Sequence, residues 1–155
     1  MIPTSGTLEA GRHVLPIRVY YEDTDAGGIV YHAAYLRFAE RARSEFLRVI
    51  GWEHERMRAE TGLGWVVRRA EIDFRAPARL DDALTVATSL SALSGASLRA
   101  IQSVRRGVAE LVRLNLQLVL LTPSGRPERI PAPLRATLLP FLAEQESTIV
   151  RCKTP

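Results

Sequence analysis

The sequence predicts an α+β fold in which one curved antiparallel sheet of five strands wraps around a single long α-helix. Three observations lead to this prediction. A sustained helical spacing of apolar residues occurs over residues 33–50. After a second, short polar helix, the apolar period changes from 3.6 to 2 over four successive segments. Tight turns join these segments, and strands joined in this way pair antiparallel.

A first strand is predicted before the long helix, because apolar and polar residues alternate over residues 17–21. The long helix is predicted from Ala33 to Ile50 and stops at Gly51. A short polar helix follows over residues 53–61. The apolar stripe of the long helix consists of Tyr35, Phe38, Ala39, Ala42, Phe46, Val49 and Ile50.

Four more strands and a closing helix, residues 133–142, complete the predicted domain. In the first of these strands, Val66, Ala70, Ile72 and Phe74 are expected to share one face. The apolar positions of the others are Leu84, Val86 and Leu90; Leu98, Ala100 and Val104; and Val112, Leu114, Leu116, Leu118 and Leu120. The apolar face of the long helix must be buried against the inner face of this sheet, which is the hotdog arrangement. Its exposed edge strand invites pairing with a second copy, so a homodimer is expected.

The length of 155 residues fits one domain. We expect a flexible N-terminal tail at residues 1–13, the folded domain at 14–142 and a C-terminal tail at 143–155. The single cysteine, Cys152, leaves no disulfide framework, which favours a reducing compartment. The first twenty residues are too polar for a signal peptide, and no apolar run approaches the ~20 residues of a membrane helix. A cytoplasmic protein without a transmembrane segment is therefore expected.

The net charge of +4 comes almost entirely from arginine, since Lys153 is the one lysine. The arginines are scattered, with no basic run and no interleaved aromatic platform, which argues against nucleic-acid binding. An arginine-rich surface allows an anionic ligand or partner. A genome bias toward arginine codons explains the same composition.

The turn before the long helix reads YEDTDAGGIVYH (residues 21–32) and carries three carboxylates, two adjacent glycines and a histidine. The glycines let the backbone approach a ligand closely. The amides around Tyr31 and His32 lie near the helix start, where N–H groups lack intrahelical partners and can polarise a carbonyl oxygen. Asp25 could then attack the carbonyl carbon or deprotonate a water. Without a serine or cysteine nucleophile beside a base, and without metal-ligand spacing, the site suits an already activated electrophile.

Each of these residues also has a structural interpretation. Glu22, Asp23 and Asp25 could all be turn formers that bond their own backbone. His32 could merely pack at the helix start. Glu40 and Arg43, one turn apart, are expected to form a solvated pair. His13 and His54 lie in polar segments and are expected to be exposed.

Three segments resemble one protein family: VYYEDTDAGGIVYHAAYLRFAERAR, FRAPARLDDALTV and RPERIPAPLRATL. They are similar to the Tol–Pal-associated (YbgC-type) acyl-CoA thioesterases, in the 4-hydroxybenzoyl-CoA thioesterase branch of the hotdog superfamily. The resemblance extends over residues 14–142, and the first segment is specific at this length.

The resemblance implies hydrolysis of acyl-CoA to free acid and CoA, with no cofactor and no metal. It makes Asp25 the catalytic base or nucleophile. It gives the His32 side chain an assisting role, and it places the amide that polarises the carbonyl at His32 or its neighbour. The implied substrate-binding residues are Tyr21, Gly28, Val30 and Tyr31. Ala34 departs from relatives that often carry Asn or Ser there, which removes a possible helix N-cap.

The resemblance also implies a homodimer or a homotetramer built as a dimer of dimers. A non-catalytic module that binds acyl-CoA or an acyl carrier protein, within a lipid or envelope complex, is the alternative function. The intact DTDAGG turn favours the enzyme. A double-bond hydratase on the same fold would need an Asp/His pairing at a spacing that this sequence lacks.

Overall fold

A six-stranded antiparallel sheet wraps around one long helix in the computed structural model, which describes residues 5–143. The strands are β1 (Thr7–Glu9), β2 (Arg12–Arg18), β3 (Gly64–Phe74), β4 (Ala83–Leu93), β5 (Ser97–Arg106) and β6 (Ala109–Leu121). The helices are α1 (Ala34–Val49), α2 (His54–Thr61) and α3 (Ala132–Leu138). The order across the sheet is β1-β2-β4-β5-β6-β3. This architecture confirms the predicted fold class.

Helix α1 packs against β2, β4 and β5 through the stripe that its spacing predicts. Tyr35, Phe38 and Phe46 are buried along it, with Ala39 and Ala42 between them. The small alanines let the helix lie close to the sheet, and each large side chain stabilises the fold by roughly 1.5–3 kcal/mol through burial. The stripe departs from the prediction at Val49, which is 38% exposed, whereas Ile50 is half-buried and packs against the core.

The opposite wall of the core consists of alternate residues on the four inner strands, β2, β4, β5 and β6. These are Leu15, Ile17, Leu84, Val86, Leu90, Leu98, Ala100, Val104, Val112, Leu114, Leu116, Leu118 and Leu120. Because strand side chains alternate between faces, one pattern of period 2 puts all of these groups on the side of α1. No helix within residues 5–143 combines the length and the hydrophobicity needed to cross a bilayer.

The predicted N-terminal tail, residues 1–13, is wrong from residue 7 onward. Residues 7–9 form β1, which pairs with the start of β2 and raises the strand count from five to six. His13 is fully buried rather than exposed; its Nε2 lies 2.6 Å from the Ser5 carbonyl oxygen and its ring lies 5.7 Å from Phe46. The strand ends at Arg18, not at residue 21. Apart from Ala143, the predicted C-terminal tail lies outside the described residues.

The predicted common face of β3 is also wrong at Val66. Trp65 and Val67 pair with the inward-facing Leu120 and Leu118, so Val66 points outward. The register shifts between Val67 and Arg69. An extra residue in a strand reverses the parity of every later position, which the spacing alone does not reveal. Beyond the bulge, Ala70, Ile72 and Phe74 face inward as predicted.

Candidate active site

The loop between β2 and α1 contains two consecutive turns, each with one aspartate. In the first turn, residues 21–23 form a 3₁₀ turn, and the buried Asp23 accepts the Tyr20 N–H at 2.8 Å through Oδ2. Its Oδ1 lies 4.0 Å from the exposed guanidinium of Arg37. Asp23 is therefore a turn-forming residue, as its structural interpretation predicts.

The second turn holds Asp25 at the surface. The Asp25 N–H donates to the Ile29 carbonyl oxygen at 2.9 Å, and the Gly28 N–H donates to the Asp25 carbonyl oxygen at 3.1 Å. Gly28 has a φ of +78°, which favours glycine. The Gly27 N–H donates to Asp25 Oδ1 at 2.8 Å. Among the described residues Oδ2 has no hydrogen-bond partner, so one carboxylate oxygen is held and the other remains available.

Asp25 and His32 line the same open cleft, which has a volume of about 380 Å³. The other lining residues are Ile29, Val30, Tyr35, Phe74, Arg75, Ala76 and Pro77. The two candidate catalytic side chains share this cleft without a hydrogen bond between them in the described chain. The His32 ring instead contacts the Tyr31 ring at an angle of 52°, with 4.4 Å between the ring centres.

Backbone hydrogen bonds at the start of α1 decide which amides are free. The Tyr31 N–H donates to the Asp23 carbonyl oxygen at 2.8 Å, and the Ala34 N–H donates to the Tyr31 carbonyl oxygen at 2.8 Å. In residues 5–143, the N–H groups of His32 and Ala33 have no acceptor. Of the amides predicted around Tyr31 and His32, that of Tyr31 is therefore occupied, and those of His32 and its neighbour Ala33 stay available among the described residues. These donors lie at the positive end of the helix dipole.

The helix start has no side-chain cap. Ala33 occupies the N-cap position, and Ala34 is the first helical residue and fully buried. An Asn or Ser at position 34 would therefore lie inside the first turn rather than at the N-cap, which corrects the interpretation drawn from the sequence. Nothing in the side chains of this turn competes for the two free amides.

The four predicted substrate-binding residues lie in different environments. Val30 is buried, lines the cleft and donates its N–H to the Ala78 carbonyl oxygen at 2.9 Å. Tyr21 and Tyr31 are 82% and 47% exposed and lie outside the cleft lining of the single chain. Gly28 contributes through the turn rather than through the cleft wall. Their roles in binding stay predictions.

The cleft lining also includes six residues that were not predicted as site residues: Ile29, Tyr35, Phe74, Arg75, Ala76 and Pro77. The Tyr35 hydroxyl oxygen accepts the Ala78 N–H at 3.0 Å, and burial raises the pKa of this hydroxyl. Arg75 makes an ion pair of 2.6 Å with Glu110. Phe74 and Arg75 belong to the FRAPAR segment, so the second sequence motif forms the wall opposite the first motif. The motif itself was the available signal for these residues.

Comparison with known proteins identifies the family of this chain. A family model described as the thioesterase-like superfamily matches residues 19–138. The chain belongs to the thioesterase-like superfamily. This membership agrees with the family predicted from the three motifs. The loop with Asp25 and the FRAPAR segment both lie within the matched residues 19–138.

Several relatives support the same membership. The chain is 44% identical over 102 residues to "Acyl-CoA thioesterase YbgC" from Haemophilus influenzae, covering 66% of this chain and 75% of the relative. It is 51% identical over 83 residues to "Acyl-CoA thioester hydrolase YbgC" from Escherichia coli, covering 54% of this chain and 61% of the relative. A probable thioesterase from Bartonella henselae has a similar structure, with a TM-score of 0.75 and 41% identity over 77% of this chain and 99% of that one.

Proposed function

We propose that this member of the superfamily is an acyl-CoA thioesterase that hydrolyses acyl-CoA to a free carboxylic acid and CoA. One observation carries the proposal. Asp25 and His32 line a common cleft, directly beside a helix N-terminus whose His32 and Ala33 amides have no acceptor in residues 5–143. The names of the relatives from H. influenzae and E. coli supply the substrate class.

The two free amides can stabilise the charge that develops on the thioester oxygen. As the carbonyl carbon becomes tetrahedral, its oxygen acquires negative charge, and backbone N–H groups fixed at a helix N-terminus stabilise that charge without reorganisation. Removing one such donor from a hydrolase typically costs about 10²–10³ in kcat. The helix of 16 residues behind His32 and Ala33 adds its dipole to the same end.

Asp25 provides the attacking group or the base. The Gly27 N–H fixes Oδ1 at 2.8 Å, which orients Oδ2 for the reaction. As a nucleophile, Oδ2 bonds to the carbonyl carbon and displaces the CoA thiolate, and water then hydrolyses the resulting anhydride. As a base, Oδ2 takes a proton from the water that attacks the carbonyl. A thiol with a pKa near ~8.5 leaves with little acid assistance, so one carboxylate suffices.

His32 and the tyrosines act on the substrate in this proposal. The His32 ring, free of hydrogen bonds in the described chain, can donate or accept at the thioester or at the attacking water. Val30 contacts the acyl group in the cleft. Tyr21, Tyr31 and the Gly28 turn contact the parts of acyl-CoA outside the cleft. We place the reaction in the cytoplasm, as the sequence predicts.

The smallest functional unit in this proposal is a homodimer formed through β3. This strand of 11 residues lies at one edge of the sheet and exposes Val66 (47%), Val67 (41%) and Phe74 (50%). An open apolar edge of this length pairs readily with another strand. Antiparallel self-pairing brings Phe74, which lines the cleft, next to the opposite end of the partner's β3. Sedimentation equilibrium should give two or four chain masses, and a monomeric mass would contradict this assembly.

The experiment is thiol release from short-chain, long-chain and aromatic acyl-CoAs by the wild-type protein and Asp25→Asn. We expect the wild type to hydrolyse at least one ester and Asp25→Asn to lose turnover while keeping the wild-type fold and mass. Glu22→Gln is the matched control, because Glu22 is an exposed carboxylate three residues away in the same loop.

Two outcomes would contradict the proposal. Wild-type turnover in Asp25→Asn would remove Asp25 from the mechanism. No turnover of any ester by the wild type, together with retained acyl-CoA binding, would replace the enzyme with a non-catalytic acyl-CoA or carrier-protein binding module.

A further inference from the structure

The middle of α1 carries an arginine that turns toward the core instead of the solvent. Arg43 Nη1 donates to Gln102 Oε1 at 2.9 Å. The Gln102 side chain is fully buried on β5, and its Nε2 donates to the Ala39 carbonyl oxygen at 2.9 Å and to Thr88 Oγ1 at 3.0 Å. Both donor bonds fix the amide, so its oxygen faces Arg43. The predicted solvated pair of Arg43 with Glu40 is wrong, because no ion pair of 4.0 Å or less joins them.

Arg43 lacks the anion that several other arginines of these helices have. Arg48 lies 3.2 Å from Glu45, and Arg56 lies 3.0 Å from Glu60. For Arg43, no carboxylate of residues 5–143 lies within 4.0 Å, and the neutral amide of Gln102 is its one described hydrogen-bond acceptor. Burial accordingly lowers the pKa of Arg43, which the more distant Glu40 partly offsets. A partly buried cation without an anionic partner is costly.

A small cavity lies beside this cation. Its polar lining residues are Arg43, His54, Trp65 and Thr88. Its apolar lining residues are Phe46, Leu47, Leu90, Leu98, Ala100 and Leu118. Trp65 Nε1 is buried and has no hydrogen-bond acceptor in the described chain. Desolvation lowers the pKa of His54, and the positive charge of Arg43 lowers it further.

Trp65 Nε1 is the buried donor of this lining that has no described acceptor, and Arg43 carries donors beyond the one that binds Gln102. Arg43 has further N–H groups, and the Trp65 indole can only donate. Buried donors normally have partners, and the free donors of Arg43 select an anion. The apolar remainder of the lining selects an alkyl chain. We propose that this cavity binds the carboxylate end of an alkanoate, with the carboxylate on Arg43 and Trp65 Nε1 and the first carbon of the chain near Leu90, Leu98 and Leu118.

The size of the cavity limits the ligand. Its volume of about 40 Å³ holds about three water-sized groups, which is the size of a carboxylate. A larger cleft of about 540 Å³ shares His54 and Trp65 with it and is lined by Leu63, Val66 and Pro123. A longer alkyl chain can continue into this cleft. The affinity should therefore rise by about fourfold for each added methylene until the cleft is filled.

The first test is an NMR titration of the full-length ¹⁵N-labelled protein with acetate, butanoate and hexanoate, each beside the alcohol of equal chain length. We expect the Trp65 indole N–H resonance to shift downfield with the acids and to saturate. The other tryptophan, Trp52, lies outside this cavity and is the internal control. Equal affinities for hexanoate and hexan-1-ol, or no saturable shift of Trp65 with any acid, would overturn the proposal. Neither result depends on thioester turnover.

Variants locate the carboxylate. Arg43→Met should weaken hexanoate binding at least tenfold while leaving hexan-1-ol binding unchanged, because a charged hydrogen bond is lost. Trp65→Phe, measured by calorimetry, should weaken hexanoate binding about threefold to tenfold because it removes one neutral donor. Arg41→Gln removes an exposed arginine of the same helix and should change neither affinity. Wild-type hexanoate affinity in a folded Arg43→Met would refute the site, and the acid–alcohol comparison decides if that variant does not fold.

Discussion

The two turns before α1 give the same residue type opposite environments. Asp23, in the first turn, is 4% exposed and accepts the Tyr20 N–H at 2.8 Å. Asp25, in the second turn, is exposed and has one carboxylate oxygen without a described partner. The comparison shows that two carboxylates of one motif can differ in both burial and hydrogen-bond partners. One aspartate stabilises the loop and the other is available for chemistry.

The largest expected effect is on activity at the second turn. Asp25→Asn should lower kcat by about 10²–10⁴, because the amide can neither accept the proton nor attack the thioester. The free energy of unfolding should stay within about 0.5 kcal/mol of wild type, since Asn can still accept the Gly27 N–H. Initial rates and urea unfolding of the same preparation measure both quantities. If Asp25→Asn were destabilised but still active, Asp25 would be the structural aspartate of the loop rather than the reactive one.

The first turn should show the opposite behaviour. Asp23→Ala leaves the Tyr20 N–H without its acceptor and should reduce the free energy of unfolding by about 1–2 kcal/mol. Asp23→Asn keeps a carbonyl oxygen at the same place and should cost much less. Urea unfolding of both variants tests this difference. If Asn were as damaging as Ala at position 23, the negative charge and not the hydrogen bond would be the stabilising feature.

Gly28→Ala tests the backbone of the second turn. Gly28 has a φ of +78°, and an added Cβ would meet no atom within 4 Å. The cost should therefore be conformational only, about 1–2 kcal/mol of unfolding free energy. Thermal unfolding measures it. Gly28→Asn is the control, because Asn tolerates this conformation better than Ala and should recover part of the loss.

The smallest expected effect is that of Gly27→Ala. Here φ lies outside the left-handed region, but an added Cβ would lie 3.2 Å from Asp25 Oδ1. The carboxylate must move by a few tenths of an ångström, so kcat should fall several-fold. Unfolding free energy should change by less than about 0.5 kcal/mol. Paired kinetic and unfolding measurements check this separation, and unchanged kcat would mean that the position of Oδ1 is not critical.

The sequence predicted the helices closely, because their apolar spacing is local information. Helix α1 was expected at residues 33–50 and lies at Ala34–Val49; α2 was expected at 53–61 and lies at His54–Thr61. Local information failed where one residue changes the parity, as at the bulge after Val67 in β3. It also failed at β1, because a strand of three residues is too short to show an apolar period.

The candidate site divides in the same way. Asp25, His32 and the turn around Gly28 were recognisable, because glycines, carboxylates and a following helix are adjacent along the chain. Which amides are free was not, since the Tyr31 N–H is occupied by a carbonyl oxygen eight residues earlier in the folded loop. The wall formed by Phe74 and Arg75 comes from a strand more than forty residues later.

By itself, the sequence determined the fold class, the family and the loop that carries Asp25, because these depend on periodicity and on motifs of contiguous residues. The tertiary structure alone decided where each polar group finds its partner. Arg43 is one helical turn from Glu40, yet it bonds Gln102, which is 59 residues away. The physical reason is that burial makes hydrogen bonding obligatory, and the available partner depends on which strands the fold brings together.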